Sequence, residues 1–347
     1  RRSLNLHDVP GQVLSRAYGL EAVEIRSLTD GRINQTFLAA TADGRRYALQ
    51  RLNPFFEASE ALGLNWRRVA EALAPSAVLC PTIVAARDGG WLASEAGGVW
   101  RLTTFLAGQA PSASPDDARA AGLALARCHA ALNRPKPLEL EPLPGHWEFT
   151  NQRLSRPADF ELLTARYRGH PRLPQAAAEL ARGARAAGLL PGLPAFQRVF
   201  YARDLVVHLD AKRANFLHDG DQWAVIDWDT VGYGDPLLDL GEICRSFAFD
   251  QQKRRFDAST ACAAVDGYRN GGFELEREQG RLLPTVVRGL AVNLARRYLT
   301  DALAEVYFKL DESRFSSLFE QNLDRAKLHL DLAEELHARE MELVNKL

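Results

Sequence analysis

The chain has 347 residues, 46% of them hydrophobic and 25% charged, with a formal net charge of -1. That length and composition support one large or two ordinary globular domains and argue against a disordered chain or a membrane protein, and no apolar run reaches spanning length. The balanced charge supplies no overall field to draw nucleic acid or an anionic membrane surface, so neither is expected as a partner.

Asp8 followed by Val13, Leu14, Ala17 and Leu20 predicts a short capped helix. Residues 22–28 and 36–40 then flank the turn T-D-G-R-I-N-Q, and 47–52 is a third extended run after D-G-R at 43–45. Strand, glycine turn, strand, turn, strand is how the small lobe of a kinase begins. In that reading Gly31, Asn34 and Gln35 belong to a loop whose backbone amides cover phosphates. Taken alone, the same segment reads equally well as a plain hairpin.

The third strand raises a problem. Protein kinases place an alanine over the adenine and, two residues later on the same face, a lysine that reaches the phosphates. Here Ala48 is followed by Gln50. Alternation puts Gln50 toward the nucleotide and Arg51 away from it, so the phosphate cation is either missing or is Arg51, turned inward by a twist or bulge. Arg51 is the expectation. Residues 57–73 read as a helix, with Glu57 and Glu60 as candidate partners for Arg51 or simply as complements to the helix dipole.

Residues 91–94 and 99–105, separated by E-A-G-G, predict a hairpin. A hinge over 103–108 follows, where backbone groups at Thr104 and Leu106 are placed to meet adenine. A proline loop at 111–115 closes the small lobe. From Asp116 the spacing of Ala118, Ala121, Leu125, Cys128 and Leu132 is helical. His129 borders that stripe and reads as a hydrogen-bonded helix histidine. Residues 134–150 are rich in proline and aromatics, including Trp147 and Phe149. Helices are expected at 158–168, 174–188, 256–269, 277–306 and 314–344.

Between Val206 and Leu240 the chain gathers two carboxylate clusters. The first, V-V-H-L-D-A-K-R-A-N-F-L, has His208, Asp210, Lys212 and Asn215 at the spacing of a protein-kinase catalytic loop. After a turn at 218–222, the second puts Asp227 directly behind an apolar strand, where kinases place the aspartate that holds magnesium. A hydroxyl attacking a phosphoryl group needs a carboxylate in line to orient it and accept its proton, and Asp210 has that place. A hard cation asks for oxygen ligands and keeps several waters, which Asn215 and Asp227 satisfy. Lys212 lies close enough to the base to offset charge on the transferred group. His208 is expected to brace the loop.

These motifs resemble the aminoglycoside phosphotransferase and choline kinase superfamily, whose loop commonly reads H-G-D-x-x-x-x-N and is followed by I-D-W and G-D-P-x-x-D-L. The corresponding residues here are His208, Asp210, Asn215, Ile226, Asp227, Trp228, Gly234, Asp235, Pro236, Asp239 and Leu240. The resemblance implies that the closing G-D-P-L-L-D-L is scaffold. A narrower resemblance joins G-R-I-N-Q-T-F-L, Y-A-L-Q-R-L-N, R-R-Y-L-T-D-A-L-A-E-V-Y-F-K and N-L-D-R-A-K to the N-acetylhexosamine 1-kinase subgroup. It implies ATP and Mg2+ as cofactors and the anomeric hydroxyl of an N-acetylhexosamine as acceptor. Trp147, Arg153, Arg297, Tyr298 and Asp301 are residues of a type that could meet a sugar, although packing or surface pairing is the commoner use of each.

The expected architecture is a two-lobed, protein-kinase-like α/β fold. A small antiparallel β lobe occupies 1–105 and a mostly helical lobe 106–347, with the nucleotide between them. Kinases of other alcohols (aminoglycosides, choline, homoserine) and a nucleotide-binding pseudokinase are the alternatives. Cys80, Cys128, Cys244 and Cys262 show no paired spacing, and the opening residues lack an apolar signal-type stretch, so a reducing, cytoplasmic setting is the expectation.

Overall fold

In the computed structural model the described residues are 8–28, 34–54, 59–143, 153–275 and 277–346. Gly31, Glu57, Trp147 and Phe149 lie outside them. The first helix, α1 (Asp8–Val13), runs into a π turn at Leu14–Tyr18 that stops at Gly19, whose φ of 68° is the left-handed conformation glycine takes without strain.

Three strands follow, β1 (Ala22–Leu28), β2 (Gln35–Thr41) and β3 (Arg46–Arg51), and then α2 (Glu60–Leu73), whose first turn is capped by the Ser59 side chain on Ala61 N. Beyond it come β4 (Val78–Leu79), β5 (Ile83–Val84), β6 (Ala93–Glu95) and β7 (Gly98–Thr104). The small lobe is an antiparallel sheet in the order β1-β2-β3-β7-β5, with β6 on the edge of β7. Strand alternation divides its side chains. Leu49, Trp100 and Leu102 pack with Val13, Leu14 and Tyr18 into one core. Ala48, Gln50, Arg101 and Thr103 occupy the opposite face.

The large lobe begins with α3 (Pro115–Asn133), where Ser114 accepts from Asp117 N and proline takes the first turn. Helices α4 (Pro157–Arg166), α5 (Leu173–Gly188) and α6 (Pro194–Tyr201) lead to four short strands: β8 (Leu205–Val207), β9 (Phe216–Asp219), β10 (Gln222–Val225) and β11 (Gly232–Gly234). Then come α7 (Pro236–Ala248), the strand pair β12 (Phe249–Asp250) and β13 (Arg255–Phe256), α8 (Ala258–Arg269), α9 (Arg277–Ala304), α10 (Leu318–Ala338) and α11 (Glu340–Lys346). Helices α3 and α8 pack at backbone distance. A Cβ at Gly122 would stand 2.1 Å from Ala264 O and one at Gly267 1.9 Å from Arg119 O, so only glycine fits at that crossing.

Two features tie the lobes together beyond a simple hinge. Strand β4, between α2 and β5 in the chain, stays out of the small sheet and pairs in parallel with β10 of the large lobe. Trp66, Val69 and Leu73 of α2 belong to the same buried cluster as α3, α7 and α9. The helical stretch expected over 314–344 is two helices, broken at Arg339. Helices α6 and α7 lie outside the sequence expectations, α6 although Pro194 opens it and Phe196, Val199 and Phe200 recur at helical spacing on its buried side. In α7 the residues from Leu237 to Leu240, with Ile243, Cys244 and Phe247, are all buried. A helix covered on most sides shows no amphipathic stripe to read. Among the described residues no helix is long and apolar enough to cross a membrane, and all four cysteines are free thiols.

Candidate active site

The loop that follows β8 is fixed from below by a buried carboxylate. Asp239, on the first turn of α7, accepts from His208 N at 2.6 Å and Leu209 N at 2.7 Å, and its Oδ2 lies 3.0 Å from His129 Nε2. The other ring nitrogen of His129 is 2.7 Å from the Tyr268 hydroxyl. His129 is thus a fully buried bridge from α3 to α8 and to the loop. Two backbone amides and an imidazole converge on Asp239, so the carboxylate exchanges its water shell for fixed donors. The loop needs this support because Leu209 has φ of 65°, a left-handed conformation that a branched side chain takes only when its surroundings impose it.

His208 braces the same turn. Its Nε2 donates to Ile226 O at 3.0 Å, and its Nδ1 accepts from Asp210 N at 3.3 Å. Asp210 emerges with its side chain about a quarter exposed (26%) and paired with the Lys212 ammonium. Asn215 Nδ2 donates to Asp210 O at 2.8 Å and to its Oδ2 at 3.1 Å. Burial by itself would raise the Asp210 carboxyl, but Lys212, with help from His208 and Arg297, holds it below the usual carboxylate range. Lys212 shows the reciprocal effect: burial opposes its charge, and Asp210 and Asp227 carry it above the ordinary lysine value.

Asp227 follows β10 in the left-handed region, at φ 66° and ψ 57°, and starts a one-turn 3-10 helix at Trp228–Thr230. That turn is anchored by Thr230 Oγ1 donating to His208 O at 2.8 Å and Trp228 Nε1 donating to Val225 O at 2.9 Å. Burial, then the neighbouring Asp229 carboxylate, pushes the Asp227 carboxyl up to about 6. A buried carboxyl raised by other carboxylates is a site short of positive charge. With the Asn215 amide nitrogen spent on Asp210, its oxygen and the Asp227 carboxylate are the donors left for a cation. Among the described residues no group of three His, Cys, Asp or Glu side chains forms a cage. Two oxygen donors suit a hard cation that retains water.

The nucleotide side of the cleft departs from expectation at Arg51. The register is regular through this point, Gln50 opposite Arg101 and Arg51 opposite Trp100, so no bulge turns Arg51 inward. Its guanidinium lies over the Trp100 ring and donates to Gly97 O at 3.1 Å, on the face away from Asp210 and Asp227. Glu60 does not meet it either. That carboxylate accepts from Trp91 N at 2.7 Å and Leu92 N at 3.2 Å. Gln50 does face the cleft side, where Nε2 donates to Thr36 Oγ1 at 3.2 Å.

Asn34 and Gln35 open β2. The Asn34 side chain accepts from Asn53 N at 2.9 Å, and its carbonyl accepts from Lys309 Nζ of the large lobe at 2.9 Å. Gln35 pairs with Arg51, so its side chain shares the face of Arg51 and not that of Gln50. Thr104 N donates to Thr82 O and its hydroxyl oxygen accepts from Thr82 N, each at 2.9 Å. Sheet bonding ends where Phe105 N donates to Arg46 O, and Leu106 begins the hinge.

Of the residues considered for acceptor contact, Tyr298 is stacked on Phe308 and His329, and Asp301 accepts from Val306, Tyr307 and Phe308 N and from Asn322. Both hold the turn after α9. Arg153 pairs with Asp159. Arg297 donates to the Tyr307 hydroxyl at 3.0 Å and keeps its charge against burial through Tyr307 and Asp210.

The site also holds a residue that sequence reasoning passed over. Arg101 of β7, fully buried, makes a two-pronged ion pair with Asp229, and its Nη2 also donates to Gln50 Oε1 at 2.5 Å. Nothing in the local pattern around Arg101 signals this, since an arginine on a strand reads as exposed until its partner is known.

The chain matches a known group of proteins. Residues 24–283, well over half of the chain, match the model of the phosphotransferase enzyme family. No curated protein matches the chain in sequence. Among solved structures, an aminoglycoside phosphotransferase from Alicyclobacillus acidocaldarius superposes with a TM-score of 0.61 at 16% identity, covering 100% of this chain and 98% of that one. A microcompartment-associated aminopropanol kinase gives 0.60 at 19% identity, covering 95% and 97%. Amicoumacin kinase, in complex with AMP-PNP, Ca2+ and Ami, gives 0.62 at 14%, covering 93% and 92%. At these identities the superpositions establish a shared fold, and the family match carries the activity: the chain belongs to the phosphotransferase enzyme family and is a small-molecule phosphotransferase.

Proposed function

We propose that the protein transfers the γ-phosphoryl group of ATP, with Mg2+, to a hydroxyl of a sugar, an N-acetylhexosamine at its anomeric position. The observation that carries the reading is the contact of Asp210 with both Lys212 and Asn215, next to Asp227. In this reading the lobes meet at the hinge near residue 105. Asp210 orients the acceptor hydroxyl and takes its proton late, as a weak base suited to a loose transition state. Lys212 stays beside it and offsets charge on the moving phosphoryl. Asn215 and Asp227 hold the metal, which when bound neutralises the phosphate oxygens. The loop of Gly31, Asn34 and Gln35 covers the phosphates, and the hinge at Thr104 and Leu106 meets adenine. The amicoumacin kinase complex, with its nucleotide analogue and divalent cation, supports this cofactor pair.

Lys212 and Arg297 lie within electrostatic reach of Asp210, but Asp227 faces Lys212 as well and Arg245 is paired with Glu242, so the local charge selects neither a neutral nor a cationic acceptor. The second reading is a kinase of another alcohol, favoured by the structural neighbours, whose names include an aminopropanol kinase and an aminoglycoside phosphotransferase. ADP release, with ATP and Mg2+, measured across N-acetylhexosamines, other free sugars, amino alcohols and aminoglycosides separates the two. Highest kcat/KM on an N-acetylhexosamine, with an anomeric phosphate by phosphorus NMR, is expected. Turnover confined to amines would overturn the sugar assignment.

A further inference from the structure

Arg101 and Asp229 sit 128 residues apart in sequence and join the two lobes at the metal loop. Arg101 comes from the strand that leads to the hinge, and Asp229 lies two residues after Asp227. Both guanidinium ends reach the carboxylate, Gln50 Oε1 takes another N–H, and the Trp66 ring of α2 lies 4.4 Å below the guanidinium. Arg101 is 0% exposed and Asp229 7%. The planar fork is thus clamped on its edge by a carboxylate and an amide and on its face by an indole, a geometry that a lysine does not reproduce.

We propose that Arg101 is a positioning residue for phosphoryl transfer: by holding Asp229 against the small-lobe sheet it sets the direction in which Asp227 presents its carboxylate, and it keeps the Asp229 carboxylate out of the cation site. Three observations lead there. Asp227 occupies a left-handed conformation, which persists only where the flanking residues are pinned. Its turn is pinned on the large-lobe side by Thr230 on His208 O and on the small-lobe side by Asp229 on Arg101. The guanidinium has no solvent-exposed edge, so its reach ends at these partners. Gln50 occupies the position where a strand lysine would stand, and its carbonyl oxygen is spent on orienting Arg101. The small lobe therefore contributes its buried cation from β7, toward the metal loop, and none from β3.

This inference rests on Asp227 as a cation ligand, which Asp227→Ala tests separately by loss of turnover and of Mg2+ dependence. The test of Arg101 compares Arg101→Met, Asp229→Asn and the double variant, reading kcat, KM for ATP and the Mg2+ concentration for half-maximal rate. Losing either partner of the pair is expected to lower kcat by about 10- to 100-fold and to shift the Mg2+ dependence. The double variant is expected to stay as low in kcat and as shifted in Mg2+ dependence as the single variants, because neither change restores the hold on the Asp227 turn, while its melting temperature partly recovers because the charge left unpaired by one change is removed by the other. Asp229→Asn is nearly isosteric and provides the same reading should Arg101→Met fail to fold. An equal rise in KM for ATP in Arg101→Met and the double variant would make Arg101 a phosphate ligand and overturn the proposal. Unchanged kcat and Mg2+ dependence, with only a lower melting temperature, would overturn it as well.

Discussion

The catalytic loop and the cleft face of the small sheet each hold charge in a sheltered place, but at very different sequence range. In the loop, Asp210 is held by Lys212 and Asn215, two and five residues away, and the amides beneath it by Asp239, about thirty residues on. On the sheet, Arg101 finds its carboxylate across the whole hinge and half of the large lobe. Short-range partners recur as a spaced motif, so the loop is visible as a string of letters. Long-range partners leave no such trace.

That contrast can be tested where the effect is largest. Asp210→Ala should lower kcat by about a thousandfold or more, the range for loss of a positioned base, while ATP binding by calorimetry stays within a few fold. Full turnover would remove the loop from the chemistry. Asp239→Ala strips the acceptor from two buried amides and from His129, and should cost about 3 kcal/mol or more in denaturant unfolding. A loss under about 1 kcal/mol, the net worth of one ordinary hydrogen bond, would show that the loop does not depend on its scaffold.

A subtler test uses pH. The Asp227 carboxyl is raised to about 6, so its protonated form is favoured by the fold. Its contribution to the stability of the metal-free protein is complete below the unfolded carboxylate range and is lost as pH rises through about 6. Metal-free Asp227→Asn should therefore be more stable than the parent at pH 8 and close to it at pH 4, and saturating Mg2+ should erase the advantage at pH 8. A parent whose stability is flat across that range would contradict the assignment of Asp227 as the charge-poor site. The smallest effect is expected at Arg51. Arg51→Ala removes a contact with Gly97 on the far face and should alter KM for ATP by less than about threefold, in keeping with surface substitutions. A tenfold rise would return Arg51 to the phosphates.

Strands β1, β2, β3 and β7 and helices α2, α3, α5 and α9 all fall close to where the sequence puts them; α2 and α5 bury one face and expose the other, whereas β7 and the middle of α9 are buried on both sides and are marked by their length and flanking turns. The scaffold role of Asp239 and the bracing role of His208 were legible through their place in motifs. Arg51 was misread because a cation beside an expected cation position invites the assumption of a bulge, and the sheet has none there. Helix α7 and strand β4 were missed for different reasons. The first is buried on most sides, and the second is two residues long and exists only because β10 offers it an edge.

By itself the order of residues from Val206 to Leu240 pointed to phosphoryl transfer, since Asp210, Lys212, Asn215 and Asp227 follow one another at the spacing that this chemistry asks for. The change from alternating to helical periodicity over residues 105–116, far upstream of that run, separately points to two lobes. Only the tertiary structure decided where the small lobe places its buried cation. That choice depends on which strand faces the metal loop, and a buried ion pair is defined by proximity in space, which alternation within a single strand does not encode.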